Sequence, residues 1–307
     1  MFSEAEYYCE FKIIRNKFRK YKYLKLIERS LAYINAPAAN DLEAIRRQPW
    51  TVMLFIKWVL LDDLYPNDAG REVNDNDIHR ILQSMLEMAD KLRMPNEYEH
   101  LSLFFRNLAF QQFPYQIDFH FWHLSRQSIL FSKLDNNHYI QKEFTRKTGL
   151  DIQDFIDLAV VTLARFLNSQ ETYLHENWFS TLHTKHSANK IKCFLSTISK
   201  DINKIREILI DKDNGKRPAT EQFEATPFFE FPLIKVANGY ILTHKNILFR
   251  RLEHYIYDIM RSTNSTKFMD RFGGIFERYV ENSLKHSQIE FYTEKNLKEY
   301  LAGTESK

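Results

Sequence analysis

Apolar residues recur every three or four positions through most of the chain, the spacing of helices with one buried face. Tyr7, Phe11, Ile14, Phe18, Tyr21, Leu24, Leu31 and Ile34 mark the first such stripe and predict one long amphipathic helix over residues 4–35. Pro37 ends it. Asn40 and Asp41 suit the start of a short helix reaching Arg47, and Pro49 opens the next at Trp50. Asn76 and Asp77 precede a helix carrying Ile78, Ile81, Leu82, Met85, Met88 and Leu92, which Pro95 breaks. Leu101, Phe104, Phe105 and Leu108 mark another over 97–113, stopped by Pro114. Two helices joined at Gly149 are predicted over 141–167, and further helices over 189–199 and 202–210.

The polar, turn-rich stretch Asp211–Thr220 interrupts this periodicity and reads as a linker or mobile loop at 212–221. Beyond it the texture changes. Two β-prone arms flank Asn238-Gly239 and predict a hairpin at about 233–242 through a type I′ turn, which needs positive φ twice. Helices are expected at about 243–261 and 267–285, then a short strand at about 288–293. The fold class is therefore mainly α: an all-helical body over 1–211, the linker, and a small α+β segment over 222–307. Only 7 Gly and 8 Pro in 307 residues agree with long helices and few hairpins.

Charge and cysteine content narrow the classes. The net charge of +3 is too near balance to imply nucleic acid by itself, so a basic surface would need local clustering. Two distant cysteines, Cys9 and Cys193, fit a reducing, cytoplasmic setting. Glu4, Glu6 and Glu10 and the lack of an apolar core exclude a secretory leader, and the apolar run Trp50–Leu61 is too short to span a bilayer. No membrane association is expected.

One cluster of charge stands out. Lys12, Arg15, Arg19 and Lys22 share the period of the first helix, and no acidic residue occurs from Phe11 to Lys25. Such a stripe can contact phosphates; it can equally be a helix face balanced by acids elsewhere in the fold. His120 and His123 have a spacing compatible with one helical face, but packed histidines are the commoner case and no metal is expected there, nor at His175, His183 and His186. The helix pair around Gly149 has the outline of a helix–turn–helix. Its second helix opens with Asp151, Asp154 and Asp157, which phosphates would repel, so DNA reading is rejected. An Arg-x4–6-His ribonuclease motif of the kind found in HEPN domains is approached only by Arg93 and His100, and Pro95 separates them. Gly-rich phosphate loops, G-x-S-x-G and H-E-x-x-H are absent.

The stretch Lys267–Leu284 carries Phe268, Phe272, Ile275, Phe276, Tyr279, Val280 and Leu284 at helical spacing, with Gly273 and Gly274 in its middle. Two glycines inside a helix cost about 1 kcal/mol each, and close approach by another element is the expected reason for them. A helix of the form F-G-x-x-F-E-x-Y-V before a strand resembles the entry to the core of PD-(D/E)XK, or restriction-endonuclease-like, nucleases. The resemblance covers about thirty residues. It places Glu277 at the glutamate often carried by the first core helix. In that family the catalytic Asp and the (D/E)-x-K follow on later strands; here only Glu294 to Lys307 remain, so no complete catalytic set is present. Mg²⁺ is implied only if a complete nuclease core follows.

The arrangement is similar to bacterial multidomain proteins in which a helical region precedes a restriction-like nuclease, some linked to defence against phage. The expectation is a catalytically incomplete helical module that contacts nucleic acid through Lys12, Arg15, Arg19 and Lys22, or contacts a partner. The alternative is a protein-interaction or oligomerisation scaffold with no nucleic-acid role.

Overall fold

The computed structural model describes residues 3–91, 98–116, 120–169, 171–213, 215–216, 218–288 and 290–304. The protein is mainly α-helical with one small sheet. Its helices are α1 (Glu4–Phe18), α2 (Tyr23–Asn35), α3 (Asp41–Arg46), α4 (Pro49–Leu61), α5 (Asp75–Asp90), α6 (Tyr98–Gln116), α7 (Phe121–Gln127), α8 (Tyr139–Thr148), α9 (Ile152–Asn168), α10 (Ala188–Ile198), α11 (Ile202–Lys212), α12 (Lys245–Thr263), α13 (Ser265–His286) and α14 (Glu294–Thr304). The strands are β1 (Tyr173–His175), β2 (Ser199–Asp201), β3 (Leu233–Val236) and β4 (Gly239–Leu242), in the order β1-β4-β3-β2. β3 pairs antiparallel with β4 and parallel with β2, and β1 closes the other edge antiparallel to β4.

The chain forms two compact units. One comprises Met1–His120 and Leu158–Leu252, the other Phe121–Asp157 and Glu253–Lys307. In the first, α4 is the central helix. Ten of its 13 residues are buried, including Phe55, Ile56 and Trp58, and it packs against α2, α5 and α11. A helix apolar on nearly every side must be enclosed on nearly every side. The sheet belongs to this unit and draws β1 and β2 from before residue 211 and β3 and β4 from after 222, so the described residues before 211 include two three-residue strands besides their helices and loops.

The long helix expected over 4–35 is two. α1 ends at Phe18 and α2 starts at Tyr23, because the backbone between them pairs with a loop instead: Lys22 N–H donates to Arg71 O at 3.0 Å, and Arg71 N–H to Lys20 O at 3.0 Å. Gly70 allows that approach, since a Cβ there would lie 2.3 Å from the Tyr21 carbonyl carbon. The helix over 78–92 is capped by Asn74, whose side chain accepts from Asp77 N–H at 2.9 Å, and Pro114 lies inside α6, which reaches Gln116. Leu92, Arg93 and Pro95 lie outside the described residues.

The hairpin stands at 233–242, but its turn is not the expected one. Ala237 and Asn238 connect the strands, Gly239 is already in β4, and positive φ among the described residues is confined to Gln48, Gln288, Gly149 and Gly215. Gly239 serves sterically: a Cβ on it would lie 2.3 Å from Leu174 O of β1.

In the second unit, Phe144, Phe155 and Tyr255 form a cluster, with Phe155 and Tyr255 stacked at 4.9 Å between ring centroids. α13 adds Phe268 and Phe272 against Tyr257, and Phe272 stacks on Phe131 at 5.8 Å. The strand expected at 288–293 is not formed. Residues 290–293 have no regular structure, Ile289 lies outside the described residues, and the chain passes into α14. A lone strand has no ladder to join there, because every strand of the described sheet belongs to the other unit.

Candidate functional site

Three residues of the N-terminal basic stripe are engaged within the fold. Asp62, at the end of α4, has a side chain only 1% exposed. Arg15 Nε donates to its Oδ2 at 2.6 Å and Arg19 Nε at 3.0 Å, while the Tyr23 hydroxyl and Leu64 N–H donate to Oδ1 at 2.7 and 3.0 Å. Both guanidinium groups also reach Asp63. Burial pushes the Asp62 carboxyl up, but the bonds from Arg15, Tyr23, Leu64 and Arg19 outweigh it and hold it below the ordinary range. Lys22 pairs with Glu72 at 2.6 Å, and Lys12 sits 4.4 Å from the centroid of the Tyr8 ring. The acids that balance the stripe were invisible as partners in the sequence, because they lie some forty to fifty residues downstream.

A second buried carboxylate ties the turn Ala219–Phe223 to α1 and α4. Glu221 Oε1 accepts from Trp58 Nε1 at 2.8 Å and from the Tyr7 hydroxyl at 3.1 Å, and Lys57 lies 3.3 Å from Oε2. A buried carboxylate met by this many donors is a structural clasp. The stretch that reads as a linker thus ends in a docked turn.

Glu277 is exposed on α13, and among the described residues it makes no ion pair or hydrogen bond. The glycines beside it are not covered either. A Cβ on Gly273 or Gly274 would meet nothing within 4 Å, so the expected close approach by another element of the chain is absent among the described residues. His123 Nδ1 contacts Glu253 Oε1, and His120 is exposed outside α7. His175 meets Tyr173 edge-on at 4.8 Å, His186 is buried and His183 exposed. No group of three or more His, Cys, Asp or Glu side chains suited to a metal occurs among the described residues. Arg93 and the side chain of His100 lie outside them.

The feature that the sequence reading passed over is on α6. One side packs inward: Tyr115 is buried against Trp50 at 6.2 Å, and Phe104 meets Phe223 at 5.8 Å. The opposite side is also apolar. Leu103 is 53% exposed, Phe110 67% and Phe113 61%, with Arg106 5.6 Å above the Phe110 ring. At 100° per residue these three side chains fall within an arc of about 80°. Arg106 lies in the same arc, so this side of α6 is three large exposed apolar side chains with one cation among them. The signal was available in Leu103, Phe110 and Phe113, which share the helical period but lie off the stripe that periodicity first selects.

Comparison with protein-family models, with curated proteins and with solved structures finds no match to this chain. No helix among the described residues is long and apolar enough to cross a membrane.

Proposed function

We propose that this chain is a non-catalytic helical scaffold that binds a partner protein through the outer face of α6. The observation that supports it is the exposed apolar arc of Leu103, Phe110 and Phe113. Covering a large apolar side chain contributes about 1.5–3 kcal/mol when burial is complete, so three of them can anchor an interface. Recognition through the N-terminal stripe is the weaker reading, because Arg15, Arg19 and Lys22 are each already paired with a carboxylate. The resemblance of Lys267–Leu284 to restriction-like nucleases rests on the helix alone, since residues 290–293 form no strand; a nuclease partner, with Glu277 and Mg²⁺ in that larger assembly, is the narrower form of this reading.

The test compares the chain with a Leu103→Ser, Phe110→Ser, Phe113→Ser variant. Helical circular dichroism and melting temperature should change little, because these side chains are more than half exposed. Binding of a hydrophobic dye, and any association that persists in high salt, should be lost. Steeply salt-dependent retention on heparin or DNA, abolished by changing Lys12 and Lys22, would overturn this reading in favour of nucleic acid.

A further inference from the structure

Leu103, Arg106, Phe110 and Phe113 follow one another at intervals of three, four and three residues. This is the a, d, a, d spacing of a coiled-coil seam, and on α6 it runs for about 15 Å. All four side chains are exposed. The residues bordering them, at the e and g positions, include Ser102, Asn107, Ala109 and Gln116, none of them charged. A narrow seam with low, neutral shoulders has the form that one helix lying along it would fill.

Arg106 is the only Lys, Arg, Asp or Glu in the sequence between Glu99 and Asp118. Its guanidinium rests over the Phe110 ring and forms no ion pair among the described residues. The positions three and four away on its own helix are Ser102, Leu103, Ala109 and Phe110, so α6 offers it no carboxylate. In water the cation is hydrated and needs none. Once a partner covers the seam that water is lost, and a desolvated charge without a counter-charge opposes binding. The acid must then come from the partner.

We propose that the outer face of α6 takes an amphipathic helix of another protein, apolar at its own a and d positions except for one Asp or Glu set opposite Arg106. This rests on the reading of α6 as an interface and adds the form and charge of what binds there. The apolar side chains supply the affinity. The ion pair fixes the register and discriminates against helices that bring a cation or an apolar residue to that position. A second copy of this chain does not meet the requirement. It brings another Arg106 and, over residues 100–117, no carboxylate, and aligned in parallel it sets the two guanidinium groups against each other.

The experiment is fluorescence anisotropy of labelled synthetic peptides titrated with the full chain. Each peptide is an amphipathic helix about three heptads long with leucine at a and d, save one central core position that carries glutamate or lysine. Versions with that residue at a and at d are both used, because the direction of the bound helix decides which one meets Arg106. In at least one version the glutamate peptide should bind about tenfold or more tighter than its lysine counterpart. Arg106→Glu should reverse that order, and Phe110→Ser should weaken every peptide, with circular dichroism confirming that both variants keep their helix content. Glutamate and lysine peptides that bind alike would overturn the acidic partner and leave α6 an apolar interface. Absence of peptide binding, with dye binding still lost in the triple serine variant, would overturn the helical partner alone. Dye binding indifferent to that variant would remove the interface itself. Single-stranded oligonucleotide binding abolished by Phe110→Ser would overturn the proposal by assigning the face to stacked bases.

Discussion

Arg15 Nε donates to Asp62 Oδ2 at 2.6 Å, joining the last turn of α1 to the end of α4 across 47 positions of sequence. The same carboxylate takes Arg19 and the Tyr23 hydroxyl, so one buried group fixes α1, α2 and α4 together. Replacing Asp62 by Ala leaves the Tyr23 hydroxyl and Leu64 N–H without their acceptor and the two guanidinium groups with Asp63 alone. The expected loss is about 3 kcal/mol, the range for breaking a buried pair by removing one partner. Asp62→Asn should cost less, since it keeps an acceptor but not the charge. Urea unfolding monitored by circular dichroism measures both.

Acid should unfold the protein in two stages, and the first belongs to His244. Burial, and then the neighbouring Lys245 charge, lower its pKa from 6.5 to about 4. Its Nδ1 accepts from Asn246 N–H at 3.2 Å, a bond only the unprotonated nitrogen can accept, and its ring meets Tyr115 edge-on at 5.1 Å. As pH falls below about 6.5 the unfolded chain takes the proton first, so stability is lost between there and about pH 4. The ring is only half-buried by exposed area, and this tempers the loss to about 1–2 kcal/mol. Asp62 supplies the second stage. Its folded pKa lies below the unfolded value near 4, so its contribution is complete above that value and disappears as pH falls through the lower one. A His244→Phe variant should flatten the stability curve between pH 6.5 and 4 and leave the acid limb in place. Chemical denaturation at half-unit pH steps separates the two.

Glu221 provides a test with its own reporter. Its Oε1 accepts from the indole of the buried Trp58 at 2.8 Å, while Lys57 keeps a second partner in Glu224 at 2.7 Å. Glu221→Ala should cost about 2–3 kcal/mol, because two buried donors, Trp58 and the Tyr7 hydroxyl, lose their acceptor. It should also release the Ala219–Phe223 turn and shift the tryptophan emission. Glu221→Gln retains a carbonyl for the indole and should restore most of both signals.

These sites show where sequence reasoning reached and where it stopped. The helices over 188–198 and 202–212 and the hairpin over 233–242 announced themselves through local period and β-prone arms. The break at Lys20–Lys22 did not, because no glycine or proline marks it: the interruption comes from Arg71, whose backbone competes for those groups. β1 and β2, three residues each, carry no alternation to detect, and their pairing with the hairpin is set by tertiary contact. The basic stripe was legible as a stripe, but Asp62 and Glu72 were not legible as its partners. Proximity across the fold decides which charges remain available, and spacing along the chain does not report it.

The glycines carry the last prediction, because the same substitution should have opposite signs at two of them. At Gly239 a methyl group would lie 2.3 Å from the Leu174 carbonyl oxygen and 2.9 Å from the Tyr173 hydroxyl. The first contact is backbone, so β1 must move off β4, and the register Leu174 with Tyr240 and His175 with Gly239 is lost or strained. Gly239→Ala should therefore destabilise by about 2–3 kcal/mol. At Gly273, mid-helix and open, the methyl meets nothing within 4 Å, and alanine's better helix propensity should add up to about 1 kcal/mol. Denaturant midpoints should move in opposite directions for the two variants. A destabilised Gly273→Ala would mean that another part of the chain does reach that face.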